Sequence, residues 1–442
     1  MSNNEGSEKG ALRVVIIGAG FAGLKLARSL NNKKGFDVLL IDKNNYHQFQ
    51  PLLYQVATAG LEATNISFPL RKIFHNSKNV RIRIADVLEI DRHGKHIFTN
   101  AGIFHFDVLV ICTGTTTNFF NNDHLKKNAL PMKSTLEALR VMNRLINNFE
   151  DAINADSDEI RAALMSVAIV GAGPTGVELA GAIAELKRNV LPKDYPDLNM
   201  DLMKVYLLDR SVRPLASMSE RSGDDAKRYL EELGIEFRLH TGVDDFNGKS
   251  LALNNGETIN VYTVIWAAGV RGCLPPGLNT QAIGKGGRVK VDRFHKVIDT
   301  DSIYAIGDIA LMESEKYPAG HPQLASVAGS QAKHLARNLI AIQKGGTASE
   351  YNYQDKGVMA TIGKRKAVVD LQRPAMHLNG RIAWFLWMFV HLMLILGTKN
   401  KVQVFINWVY KYFTSDQNLR LAQRREQDID DFDSITTQPE EA

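Results

Sequence analysis

Two short apolar runs begin the ordered part of the chain: "VVIIGAG" from Val14, and "VLLID" ending at Asp42. Each is short and continuously apolar, which reads as a parallel strand buried on both faces. Between them, Ala22 to Asn31 carries helical spacing, and "FDVLVICTG" is a further strand closing at Gly114. From Ser134 to Asn154 the pattern turns helical, with its amphipathic part around Leu136, Leu139 and Met142. The polar stretch "NADSDE", Asn154 to Glu159, marks a boundary. The alternation then restarts with "VAIVGAG" from Val167, "KVYLLD" ending at Asp209 and "YTVIWAAG" ending at Gly269. "SIYAIGD", Ser302 to Asp308, reads as a strand returning to the first unit. Alternating strands and helices predict an α/β fold. It is expected as two Rossmann-like domains, the second inserted in the first. The expected bounds are 11–120 with 290–345 for the first domain and 121–289 for the second.

The C-terminal pattern differs. "GVMATIGKRKAVVDL" alternates as an extended hairpin, and "IAWFLWMFVHLMLIL", Ile382 to Leu396, follows it. A helix of about 15 residues is about 23 Å long, short of the ~30 Å hydrocarbon core. It is not expected to span. In the next run Val402, Phe405, Ile406 and Val409 share a helical face, with Gln403, Asn407 and Lys411 on another. Trp384, Trp387, Trp408 and Tyr410 suit a membrane interface, and Arg381, Lys399, Lys401 and Lys411 suit anionic headgroups. The expectation for 346–413 is thus a hairpin with amphipathic anchor helices; a buried core or dimer helix is the alternative.

A chain of 442 residues is too long for one core. With 45% apolar and 23% charged residues it is a folded globular protein, and a net charge of +5 gives no argument for nucleic-acid binding. The two cysteines, Cys112 and Cys273, form no CxxC, which points to a reducing compartment with neither disulfide nor metal site. The polar start "MSNNEGSEKG" shows no secretory h-region; residues 1–10 are expected as a disordered lead and 414–442 as a disordered acidic tail.

The chemistry lies in the loops after the two leading strands. "GAGFAG" (Gly18, Gly20, Gly23) and "GAGPTG" (Gly171, Gly173, Gly176) both read GxGxxG between strand and helix. The first glycine makes the turn, the second admits a pyrophosphate, and the third lets helix and strand pack. The helix N-terminus offers free N–H groups to the phosphates. Asp42 follows the first loop by about 20 residues, where a ribose-binding acid belongs. Asp209 follows the second later, because "NVLPKDYPDLNMD" intervenes. An acid there favours NADH; Arg210 and Arg213 behind it leave NADPH as the lesser option. Two dinucleotides in one chain are most simply a bound flavin and the nicotinamide that reduces it.

"GAGFAG", "NNYHQFQPLLYQVATAGL", "GAGPTGVELAG", "WAAGV", "YAIGD" and the amphipathic C-terminus together resemble a type II NADH:quinone oxidoreductase, the single-subunit, non-proton-pumping NADH dehydrogenase. The resemblance covers nearly all the chain except its two ends. It implies FAD at Gly18, Ala19, Gly20, Phe21, Ala22 and Gly23, with Asp42, Lys43, Val87, Thr113, Gly114, Gly307 and Asp308 completing the site. It implies NADH at Gly171, Gly173, Thr175, Gly176 and Glu178, with Asp209, Ala268 and Gly269. Glu178 is then the candidate catalytic residue, positioning the nicotinamide or relaying a proton towards quinone. Its structural alternative is a carboxylate favoured by the helix dipole.

Family members carry glutamines in an "AQxAxQ" helix start. Here "HPQLASVAGSQAKHLA" places Ser326 and Ser330 at those positions, with Gln323 and Gln331 nearby as quinone candidates. The implied enzyme is a peripheral membrane flavoprotein on the cytoplasmic side of the cell membrane. Its expected partners are the lipid surface, a membrane quinone and, as a candidate, a second copy in a homodimer. Two rivals remain: a sulfide:quinone oxidoreductase, which needs cooperating cysteines, and a non-enzymatic NADH-sensing flavoprotein.

Overall fold

The computed structural model describes residues 10–414 with 416, 420 and 421; the expected disordered lead and acidic tail lie outside the described residues but for their edges. Val14 to Ile17 are buried on both faces, so their strand sits in the middle of a sheet with helices on either side. The chain runs through β1 (Leu12–Ile17), α1 (Phe21–Leu30), β2 (Phe36–Asp42), α2 (Leu53–Ala57), β3 (Val80–Ile84) and β4 (Val108–Ile111). It then enters the second unit. This comprises α3 (Thr135–Ile153), β5 (Val167–Val170), α4 (Pro174–Asn189), β6 (Val205–Leu208), α5 (Glu220–Glu231), β7 (Ile235–Arg238) and β8 (Thr263–Trp266). The expected return is β9 (Ile303–Ala305), paired in parallel with β4 through Ile303↔Leu109 and Ala305↔Ile111. The first sheet therefore has the order β9-β4-β1-β2-β3, and the second β8-β5-β6-β7 with Leu130–Pro131 on its edge. The two crossings between units, Thr115–Thr117 and Val270–Gly272, pair antiparallel side by side. Helix α6 (Ala325–Gln343) then covers α1.

Helix α3 starts where the pattern predicts. Ser134 caps it, and Glu137 returns the bond to the Ser134 N–H, closing a capping box. Its inward face is shifted from the expected one: Ala138, Val141, Leu145 and Phe149 are buried and Leu136 is exposed. Spacing alone does not say which of two mixed faces meets the core. The expected boundary at Asn154 to Glu159 is a turn between α3 and a further helix, Asp158–Met165.

The C-terminal module is a three-stranded antiparallel sheet, β10 (Val358–Thr361), β11 (Ala367–Gln372) and β12 (Ala375–Asn379), followed by α7 (Gly380–Leu394) and α8 (Thr398–Thr414). The hairpin is as expected; β12 is additional. No described helix is long and apolar enough to cross a membrane. The membrane-interface reading needs correction at three residues. Trp387 and Trp408 are 2% and 6% exposed and pack 5.7 Å apart, and Lys411 lines a cleft instead of meeting headgroups. Ala383, Trp387 and His391, four apart, form one stripe of α7 turned to the core. The opposite stripe holds Ile382, Phe385 and Phe389, 72%, 56% and 63% exposed.

Candidate functional site

The two glycine loops are built alike. Gly18 N–H donates to Ile41 O and Gly171 N–H to Leu208 O, each at 2.7 Å. Both first glycines have positive φ, 97° and 109°, which L side chains avoid. A Cβ on Gly23 or Gly176 would enter the van der Waals shell of the Gly18 or Gly171 carbonyl oxygen. The strand-end acids take the same part. Asp42 Oδ2 accepts from Ala19 N–H, and Asp209 Oδ2 from Ala172 N–H, each at 2.6 Å. A carboxylate accepts about four hydrogen bonds, so lone pairs remain for ribose hydroxyls. Burial pushes the Asp42 carboxyl up, opposed by the Ala19 and Asn44 N–H groups. Arg213 is paired with Glu220 at 2.9 Å, away from a 2′-phosphate role.

The first cradle fits FAD on three observations. Nothing lies within 4 Å of a Cβ built at Gly20 or at Gly114, so both face open space. Among the described residues the buried hydroxyls of Thr113 and Thr115 have no partner, which a bound ligand would satisfy. Burial pushes the Asp308 carboxyl up, with the charges of Lys133 and Arg288 opposing it, so an acid and two bases flank the loop of Gly307. Lys43 lies exposed beyond Asp42 and Val87 is half-buried at the start of its strand. Phe21 and Ala22 begin α1. In the second cradle Thr175 is exposed and Gly173 open, while Ala268 and Gly269 follow β8 beside Gly171. Expected outcomes follow from the two crowded glycines. Gly23→Ala purifies without yellow colour, whereas Gly176→Ala keeps the flavin spectrum and loses rapid bleaching by NADH.

Glu178, in the first turns of α4, is 8% exposed and faces the C-terminal module. Thr361 N–H reaches it at 3.4 Å, and the Trp387 indole N–H lies beside it. Burial pushes its pKa to about 8, opposed only in part by these donors. It lines a narrow cleft with Tyr54, Gln55, Trp387 and Trp408. Glu185, two helical turns further along α4, and Lys411 line it too; burial brings Lys411 down to about 8. His391 stacks on Trp387 at 4.0 Å, and burial lowers it to about 4, so it is neutral.

The four quinone candidates do not line this cleft. Gln331 Oε1 accepts from Gly307 N–H at 2.7 Å and Gln323 Nε2 donates to Asp308 O at 3.0 Å. Ser326 meets Tyr353 Oη at 3.3 Å, and half-buried Ser330 lies beside the Tyr351 hydroxyl. They shape the Asp308 loop and the seat of α6. Tyr54, Gln55, Lys133, Trp387 and Lys411 went unsingled as site residues. Only the unusual stretch "QPLLYQVATAG" signalled the first two.

Two glycine-loop Rossmann units, one inserted in the other, with no paired cysteines (Cys112 is buried and Cys273 exposed), define a two-dinucleotide oxidoreductase that works without a disulfide. Residues 12–332 match the pyridine nucleotide-disulphide oxidoreductase family model, and 356–416 match the NDH2 C-terminal domain. The chain is 32% identical over 419 residues to a type II NADH:quinone oxidoreductase of Mycobacterium tuberculosis, covering 91% of this chain and 88% of that one. It is 29% identical over 367 residues to the Staphylococcus aureus enzyme, covering 80% and 89%. NDH2 of Plasmodium falciparum in complex with NADH superposes with a TM-score of 0.85 at 20% identity, over 92% and 99% of the chains. The chain belongs to the pyridine nucleotide-disulphide oxidoreductases and, within them, to the type II NADH:quinone oxidoreductases.

Proposed function

We propose that this chain is a membrane-associated NADH:quinone oxidoreductase whose first cradle holds FAD and whose second holds NADH. The observation that carries the quinone half is the cleft at Glu178, walled by the same helices that expose an apolar stripe. A lipid-soluble substrate enters most directly from the side that meets lipid. When bound, FAD supplies the two-electron chemistry, taking hydride from NADH and giving electrons to a quinone.

The chain's own residues do the rest. The glycine loops and helix N-termini neutralise the pyrophosphates, Asp42 and Asp209 hold the ribose ends, and Asp308 receives ribityl hydroxyls. NADH + H⁺ + quinone gives NAD⁺ + quinol, so one proton must come from the medium. Glu178, neutral over much of the physiological range, is placed to hand it over. The proposed enzyme works from the cytoplasmic side of the membrane, the side on which its NADH is supplied.

The sulfide-oxidising alternative lacks its cysteine pair: burial pushes the Cys112 thiol up and keeps it inert. The test is spectral. The purified protein should show an oxidised flavin band that NADH bleaches anaerobically, far faster than NADPH does, and that quinone restores. A colourless protein, or a preference for NADPH, would sink the corresponding assignment.

A further inference from the structure

A buried hydrogen-bond chain joins the lipid-facing helix α8 to the cleft. The Trp408 indole N–H donates to Gln55 Oε1 at 2.8 Å. An indole nitrogen donates and never accepts, so it fixes which way the Gln55 amide points. The amide NH₂ is thereby turned to Tyr54, and Nε2 donates to Tyr54 Oη at 2.7 Å. Tyr54 is an acceptor in that bond, so its own proton is left to point elsewhere. Tyr54, Gln55 and Trp408 are 7%, 6% and 6% exposed, and all three line the cleft with Glu178 and Trp387. The Trp387 indole N–H is a second buried donor there, without a partner among the described residues.

Resting on the quinone reading above, we infer that the Tyr54 hydroxyl donates a hydrogen bond to a carbonyl oxygen of the quinone, and that Trp408, through Gln55, sets the direction of that donation. A site with the Tyr54 hydroxyl proton and the Trp387 indole N–H between aromatic walls suits a flat, neutral molecule with carbonyl acceptors. Burial keeps the Tyr54 phenol well above its ordinary pKa, hence protonated at every working pH. Tyr54 touches the substrate; Gln55 and Trp408 are positioning residues. The arrangement also makes the seating of α8 a condition for quinone binding, because a displaced Trp408 frees the amide to flip.

The experiment uses the full flavin-loaded chain with a short-chain ubiquinone analogue, and follows anaerobic bleaching by NADH in every variant. Tyr54→Phe should raise the KM for the quinone about tenfold, the size of one hydrogen bond, with a smaller change in kcat. Trp408→Phe should raise it about threefold, and the double variant should match Tyr54→Phe alone. Gln55→Glu, which can no longer donate to Tyr54 when ionised, should equal Tyr54→Phe and guards against a misfolded Trp408 variant. An unchanged KM in Tyr54→Phe overturns the inference, as does a double variant whose effect is the product of the two. A wild-type protein that bleaches with NADH yet passes nothing to the quinone overturns the quinone reading itself. That outcome is visible before any variant is made.

Discussion

Glu178→Gln should lower quinone turnover at pH 7 about a hundredfold, the lower range for loss of a general acid, while the NADH bleaching step falls far less. The amide keeps the shape of the protonated carboxyl but carries no transferable proton. In the wild type, turnover should decline as pH rises through about 8, where Glu178 loses its proton. The variant's residual activity should be flat over the same window. Stability gives an independent check. The folded pKa is raised from 4.5 to about 8, so the native state holds the proton more tightly than the unfolded chain. Stability from this group is complete below the unfolded value and is lost as pH climbs from about 4.5 to about 8. Glu178→Gln removes that loss, at most about 5 kcal/mol, so its Tm should exceed the wild type's at pH 8 and match it near pH 4.5. A turnover profile that keeps its fall near pH 8 in the variant assigns the proton to another group.

The second large effect concerns the lipid surface. Ile382, Phe389 and Phe413 are 72%, 63% and 78% exposed on α7 and α8. Replacing all three by serine should weaken binding to phospholipid vesicles about a hundredfold, since each side chain contributes about 1 kcal/mol or more when half immersed. Flavin content, melting temperature and bleaching by NADH should stay near the wild type, because none of the three enters the core. Sedimentation with vesicles at 0.15 M salt reads the loss directly. Vesicle binding equal to the wild type's would place the anchor elsewhere. Cutting the chain before Arg381 is a poorer instrument. It would take Trp387, Trp408 and Val404 out of the core and open the Glu178 cleft, mixing the anchor with the site.

The cradles were legible because each is local: strand, three glycines and helix lie within about twenty residues, and the acid falls at the end of the next strand. The interleaving was legible for a similar reason, since "SIYAIGD" is itself a short apolar strand closing on a glycine and an acid. What escaped is non-local. Gln55 and Trp408 are 353 positions apart, and nothing in either segment names the other. Trp387 and Trp408 were read as interface residues because an apolar helix with tryptophans satisfies both a core and a membrane; here it meets both, on opposite stripes. The strand Ala375–Asn379 shows no alternation, as its burial is weak throughout. It is held from the side, with His377 bridging Asp225 of α5 and Asp370 of β11 at 3.0 Å each.

The antiparallel pair at Thr115–Thr117 and Val270–Gly272 has a bearing on how such a chain is assembled. Thr115 and Gly272 are register partners, so their Cα atoms are about 5 Å apart. The polypeptide leaves the first Rossmann unit and re-enters it at one point. Everything between is a cassette: its length, loops and nucleotide preference are free to vary without stretching a strand of its host. A tight two-residue turn across that point would close the host's five strands upon themselves. The nicotinamide unit thus has one covalent doorway, although its helices share a core with α2 and the C-terminal module.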